Sequence, residues 1–216
     1  MTLQTNYQRL RDNLTYLKLK QCMLHLDETI ELANTQNLSH IEWLLKLSDY
    51  EVDIKRQNVI NHMVKISNFP HLKILADFEF SFQPQINEMQ IKDLASLGFM
   101  EQAENIVFLG SSGVGKTHLA TSLGIESSRN RRSTYFIKCH DLIQNLKSAK
   151  DEGRLETRLK HYARYQLLII DEIGYLPLQP GDANLLFQII DRRYEKKSTI
   201  DTNAAAVRFI VYHPPA

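Results

Sequence analysis

The stretch NIVFLGSSGVGKTHLA, residues 105–120, decides how this chain folds. An apolar run ends in a glycine-rich turn, and the turn leads through a lysine and a threonine into a helical pattern. Gly110-Ser111-Ser112-Gly113-Val114-Gly115-Lys116-Thr117 matches G-x-x-x-x-G-K-[ST] at every fixed position, in the strand–loop–helix context that the motif requires. Glycines let the backbone curl so that successive N–H groups point inward at phosphate oxygens. The helix opening near Gly115 adds its positive end to that anion site. Lys116 is placed to reach the β- and γ-phosphates of a nucleoside triphosphate, and the Thr117 hydroxyl to hold Mg²⁺. With His118 the nucleotide-binding set runs over 110–118, and ATP and Mg²⁺ are the expected cofactors.

Further along comes Leu167-Leu168-Ile169-Ile170-Asp171-Glu172. Four apolar residues make a strand buried on both faces, and an acid at its C-terminal end faces the place where open α/β sheets bind ligands. Asp171 is the second candidate metal residue. Glu172 is placed to orient and activate an attacking water, which favours ATP hydrolysis over simple phosphate transfer. A polar residue on a neighbouring strand is then needed to sense the γ-phosphate. Asn203 is the candidate, although a turn asparagine reads equally well because Asp201 interrupts what should be an apolar strand. Lys116, Glu172 and Asn203 form the candidate catalytic set.

Around these two stretches the pattern alternates between apolar strands and helices from about residue 91. Strands are expected at 106–109, 134–138 and 167–170, with a weaker one at 198–202. Helices are expected at 116–130, 141–164 and 182–196. This predicts an α/β domain over 91–216, a parallel sheet flanked by helices on both faces. Residues 69–90 read as a linker with Pro70, Pro84 and the cluster Phe78, Phe80, Phe82. The phenylalanines either pin the linker to the next domain or cover a nucleotide base. Residues 1–68 read as a small all-α domain. Leu10, Leu14 and Leu17 fall at helical spacing, and Ser39-His40-Ile41-Glu42 is a capping box opening a helix whose apolar positions include Ile41, Leu44, Leu45, Tyr50 and Val52. A packing module and a partner or DNA arm both fit that region.

The chain of 216 residues is 43% hydrophobic and 24% charged, which suits one good-sized core with a smaller helical module. Its longest apolar runs are too short to span a bilayer. The start MTLQTNYQRLRDN has no signal-peptide core, so a cytoplasmic location and no membrane partner are expected. Cys22 and Cys139 lack metal-like spacing and read as structural thiols. Between residues 129 and 164 stand ten Lys or Arg against four acids, a block suited either to a solvated face or to phosphate backbones.

Four stretches taken together are similar to the IstB-like family of AAA+ proteins, the ATP-binding helpers of insertion-sequence transposition. They are LADFEFSFQPQIN (75–87), AENIVFLGSSGVGKTHLA (103–120), YQLLIIDEIGYLPL (165–178) and ANLLFQIIDRRYEKKSTI (183–200). The resemblance implies an AAA+ P-loop NTPase preceded by a helical domain. It further implies ATP hydrolysis to ADP and phosphate, self-assembly into a homo-oligomer on duplex DNA, and engagement of the transposase of the same element. It makes Lys147, Lys150, Arg154, Arg158 and Lys160 candidate DNA contacts. For Arg192 and Arg193, packing, subunit contact and DNA remain open. The related DnaC-like helicase loaders share the ATPase core, so a loader is the rival reading. The match fades at Ile200, and the ending AAAVRFIVYHPPA reads as a truncated or out-of-frame segment, with a strand at 207–212 as the other reading. A truncated module that binds nucleotide without hydrolysing it is the third reading.

Overall fold

The computed structural model describes residues 3–84, 86–174 and 179–203, and the backbone of 209–212. Residues 175–178 of the DEIGYLPL segment lie outside the described residues. So do 204–208 and 213–216 of the ending, and with them the first two residues of the expected strand at 207–212. Contacts divide the chain into two units, 1–59 and 60–216.

In the first unit α1 (Leu3–Tyr16), α2 (Lys20–Leu24), α3 (Leu26–Gln36) and the start of α4 (His40–Ile66) enclose a small core. Leu14, Cys22, Leu26 and Leu47 are buried there, with Trp43 packed against them. The capping box at the head of α4 forms as the sequence predicts: the Ser39 N–H donates to Glu42 at 2.8 Å, and the Glu42 N–H donates to the Ser39 hydroxyl at 3.3 Å. Farther along, the buried Glu51 carboxylate accepts the Gln21 N–H at 2.8 Å, which ties α4 to α2. Leu17, expected at helical spacing with Leu10 and Leu14, lies past the end of α1 and is exposed. Ile41, Leu44, Leu45 and Val52 fall on α4 as expected, on its exposed side. The face of α4 that packs is the one carrying Trp43, Leu47 and Tyr50, the last stacked on His25.

The second unit is built on one sheet in the order β2-β3-β4-β1-β5. β1 (Asn105–Leu109), β2 (Thr134–Lys138), β3 (Leu167–Ile173) and β4 (Ser198–Asn203) run parallel, and β5 (Phe209–Tyr212) joins β1 antiparallel. Helices cover both faces, as the alternating pattern predicts. Leu167 and Ile169 of β3 pack with Leu119 and Leu123 of α7 (Lys116–Arg129) into one apolar layer. Leu168 and Ile170 face the other layer, with Leu142 and Leu146 of α8 (Cys139–Asp151), Leu159 of α9 (Leu155–Ala163) and Ile189 of α10 (Pro180–Arg193). This division of alternate residues explains why the run 167–170 of β3 is continuously apolar. The short α5 (Glu88–Ala95) and α6 (Gly98–Glu101) lead into β1.

The single helix expected over 141–164 is two helices. The chain breaks between α8 and α9 at Gly153, which takes φ +68°. Asp201 does not interrupt β4: it pairs opposite Val107 of β1 and Ile170 of β3. Past α4, the linker is bound to the sheet. The Phe136 N–H of β2 donates to the Ser67 carbonyl at 2.8 Å, and the Asn68 amide donates to the Phe136 carbonyl at 3.1 Å. Phe69 then lies over Gly124 of α7, where a Cβ would stand 2.7 Å from its ring and 2.6 Å from Ile169. Both cysteines are free and buried. Among the described residues no helix is long and apolar enough to cross a membrane.

Candidate nucleotide site

β1 ends at Leu109 and α7 begins at Lys116, so the glycine loop crosses the C-terminal edge of the sheet between them. Gly115 takes φ +93°, and a Cβ on it would stand 2.5 Å from Phe78, so no other residue fits that turn without displacing the aromatic ring. In this form of the loop the Lys116 amine donates to the carbonyls of Gly110 and Ser111, each at 2.7 Å. Burial lowers the pKa of Lys116, and the Asp171 carboxylate opposes that shift.

Across the loop, the Thr117 hydroxyl donates to Asp171 at 3.0 and 3.1 Å from its two oxygens. Asp171 itself is 1% exposed, so both groups meet at the floor of the site. The parallel pairing of β3 with β4 brings in Thr202, which the sequence reading did not single out. Its hydroxyl donates to Asp171 in a short hydrogen bond and accepts the Glu172 N–H at 2.9 Å. Between Ile170 and Ile173 the β3–β4 register shifts, and there Glu172 takes φ +63°. The Glu172 side chain is exposed and accepts from the Lys138 amine at 3.0 Å. That hydrogen bond raises the pKa of Lys138.

A cavity of about 270 Å³ opens above this floor. The loop residues Ser112, Gly113, Gly115, Lys116 and Thr117 line one side, and Glu172, Thr202 and Asn203 the other. Asn203 stands at the end of β4 beside Gly174, where a Cβ would come within 3.2 Å of its amide oxygen. The donor set fits a nucleoside triphosphate with a divalent cation: a loop with an ammonium for the phosphates, then a hydroxyl and a carboxylate already in contact for the metal. Gly110 is buried behind the loop, and Ser111 and Val114 do not line the cavity. His118 turns away from it. Its Nε2 lies 3.0 Å from the Ile74 carbonyl, and its ring meets Phe78 and His71 edge-on. Of the three linker phenylalanines, Phe78 and Phe80 pack against the core while Phe82 is exposed. Thr202 and Lys138 were missed because pairing across the sheet, not sequence proximity, places them here.

The candidate DNA residues divide into two groups. Lys147 pairs with Asp182 at 2.6 Å, and Lys160 with Glu156 at 3.6 Å. Arg154 and Arg158 line a second cavity of about 180 Å³ with Thr157 and His161, and Arg154 also pairs with Glu152. Lys150 lies on the exposed side of α8. Arg192 makes a two-pronged ion pair with Glu156 at 2.9 and 2.7 Å. Arg193 is a packing residue, 1% exposed, with its guanidinium directed at the carbonyls of Tyr162, Ala163, Tyr165, Gln166 and Ser198. Burial brings its pKa down to about 10.

Residues 12–208 match the family described as IstB-like ATP binding protein. A protein of insertion sequence IS232 from Bacillus thuringiensis subsp. berliner, named for ATP binding, is 60% identical over 200 residues, covering 93% of this chain and 80% of its own length. Among solved structures, the DnaC helicase loader is 32% identical with a TM-score of 0.50, covering 56% of this chain and 70% of that one. AMPPCP-bound DnaA from Aquifex aeolicus is 20% identical with a TM-score of 0.55, covering 62% and 43%, which is a likeness of fold.

Proposed function

This chain belongs to the IstB-like ATP-binding protein family, and from that premise we propose that it is an ATP-dependent DNA-binding helper of transposition. It binds ATP with Mg²⁺ at the glycine loop, assembles with its own copies on duplex DNA, and engages the transposase of its element. One observation carries the reading. The Thr117 hydroxyl and the Asp171 carboxylate, far apart in sequence, are already in hydrogen-bond contact beside Lys116.

In this reading the Lys116 amine leaves the two loop carbonyls for the β- and γ-phosphates, while Thr117 and Asp171 hold the metal. Bound Mg²⁺ neutralises charge on the phosphate oxygens. Glu172 takes the proton of the attacking water through a carboxylate oxygen, and the Lys138 amine that donates to it holds the side chain in place. Asn203 presents its amide to the γ-phosphate end of the cavity. Lys150 and Arg158 carry most of the DNA contact, because Lys147, Arg154 and Lys160 are already paired with acids. Contacts of this kind read phosphates rather than bases, so binding falls steeply with added salt.

The test is nucleotide binding and ATP turnover, with and without duplex DNA, for the chain and for its Lys116→Ala and Glu172→Gln variants. Binding lost in the first variant, and turnover lost but binding kept in the second, is the expected result. Nucleotide binding that survives Lys116→Ala refutes the site. A second reading, a loader of a replicative helicase, is favoured by the 32% identity to the DnaC loader. Capture of a hexameric helicase rather than a transposase by the purified chain decides for it.

A further inference from the structure

Much of the basic block at 129–164 is paired once the chain is folded. Arg129 meets Glu126 at 3.9 Å and Lys138 meets Glu172 at 3.0 Å, while Arg132 and Arg154 pair with Glu101 and Glu152. Lys147 and Lys160 have acids as well. Arg158 has no ion pair among the described residues, although it is half-buried. It faces the second cavity, of about 180 Å³, together with Ala149, Arg154, Thr157 and His161. Arg154, just before α9, is followed at three, four and seven residues by Thr157, Arg158 and His161, so one helical stripe supplies them all. The lining holds two guanidinium groups, an imidazole and a hydroxyl, and no acid. A half-buried cation facing such a cavity lacks a counter-charge, which a phosphate group would supply.

His161 stands against aromatic rings. Tyr162 and Tyr165 meet it edge-on at 5.1 and 5.5 Å, and Tyr135 of β2 does so at 6.2 Å. Burial, then Arg164 and Arg158, hold its pKa below the usual imidazole value, and no acid opposes them. Burial pushes the hydroxyls of Tyr135 and Tyr162 up, so both stay neutral through the range in which a histidine titrates. We propose that this cavity takes one backbone phosphate of duplex DNA and that His161 gains a proton as the phosphate enters. This rests on the DNA binding proposed above, to which it adds a site and a proton. Arg158 meets the phosphate with its two-pronged guanidinium and the Thr157 hydroxyl donates to an oxygen, while Arg154, paired with Glu152, stays at the rim. The proton passes from solvent to the imidazole, which then donates an N–H to a phosphate oxygen. The incoming anion offsets the burial and the two arginines that kept the ring neutral. A phosphate carries no base identity, so the contact positions the duplex without reading it.

The test is duplex binding by the full chain with Mg²⁺ and a non-hydrolysable ATP analogue, read by fluorescence anisotropy from pH 5.5 to 8.5 at fixed ionic strength. A pKa raised on binding strengthens the complex below the free value, and the gain is lost as pH rises through the bound value. One pKa unit is a tenfold change in affinity, so the ratio of parent to His161→Gln affinity should fall about tenfold across the series. Arg158→Ala should weaken binding at every pH and lower the salt slope by about one. Calorimetry of the parent in buffers of differing ionisation heat should show net proton uptake on duplex binding at pH 7, a readout that needs no variant. DNA binding without proton uptake, or with the same pH profile in parent and His161→Gln, overturns the proposal and leaves the DNA reading standing. A parent chain that binds nucleotide but no duplex at any pH overturns both. Inorganic phosphate at matched ionic strength should compete with the duplex for the parent. If it binds through Arg158 while the duplex binds parent and Arg158→Ala alike, the free ion is the occupant and the proposal fails.

Discussion

Asp201 gives the sharpest test of the packing, through the dependence of stability on pH. It sits in the middle of β4, between β1 and β3. The residue as a whole is half-buried, but its Oδ1 is enclosed and takes no hydrogen bond among the described residues. Burial pushes its pKa up to about 7 from 3.8, against an opposing pull from Arg193. An acid whose pKa is raised by folding binds its proton more tightly in the folded state. Below about pH 4 the group is neutral in both states and costs nothing. As pH rises toward 7 the unfolded chain releases the proton while the folded chain keeps it, and stability is lost. The whole shift corresponds to about 4 kcal/mol, at about 1.4 kcal/mol per pH unit. Asp201→Asn removes the charge at every pH. Its own amide has a packing cost that does not vary with pH, so the informative quantity is the change in the difference between variant and parent. Urea unfolding at pH 4.5, 6, 7 and 8 should show the variant gaining on the parent by about 3–4 kcal/mol across the series. Two stability curves that run parallel from pH 4.5 to 8 would mean that the carboxyl is ionised in the fold, and the reasoning would fail.

Three further outcomes follow from the same contacts. Thr202→Val keeps the shape but removes the hydroxyl that joins Asp171 to the Glu172 backbone. Affinity for a fluorescent ATP analogue without Mg²⁺ should hold, the gain on adding Mg²⁺ should shrink about tenfold, and Thr202→Ser should restore it, since one charge-assisted bond is worth about 1.5–3 kcal/mol. Gly124→Ala places a methyl 2.6 Å from Ile169 and 2.7 Å from Phe69, and thermal unfolding should report a loss of about 1–3 kcal/mol. Arg193→Leu strands several buried carbonyls and should destabilise by about 3 kcal/mol or more. Arg193→Lys should recover only part of that, because an ammonium offers three donors where the guanidinium offers five.

The phosphate loop and the acid pair were legible because their chemistry is written in consecutive residues. Gly110 to Thr117 and Leu167 to Glu172 each carry strand, turn and functional group in one run. The Ser39–Glu42 box was legible for the same reason. What the sequence hid depends on pairing across distance. Thr202 and Lys138 reach Asp171 and Glu172 only once β4 and β2 flank β3, and nothing local marks them. Gly153 did carry a signal, since an isolated glycine in a charged run breaks a helix cheaply, and it separates α8 from α9. The exposed apolar face of α4 could not be settled from the sequence for another reason. Helical periodicity shows that a face is apolar without saying whether this chain or another covers it.

The hydrogen bonds from Ser67 and Asn68 to Phe136 have a practical consequence. β2 is the last strand on its side of the sheet, and unpaired backbone groups on such a strand recruit further strands from other molecules. Those two residues plug that margin. A fragment of the sheet-containing unit begun at residue 69 would bare it and should clump at concentrations where one begun at residue 60, which keeps the plug, stays dispersed.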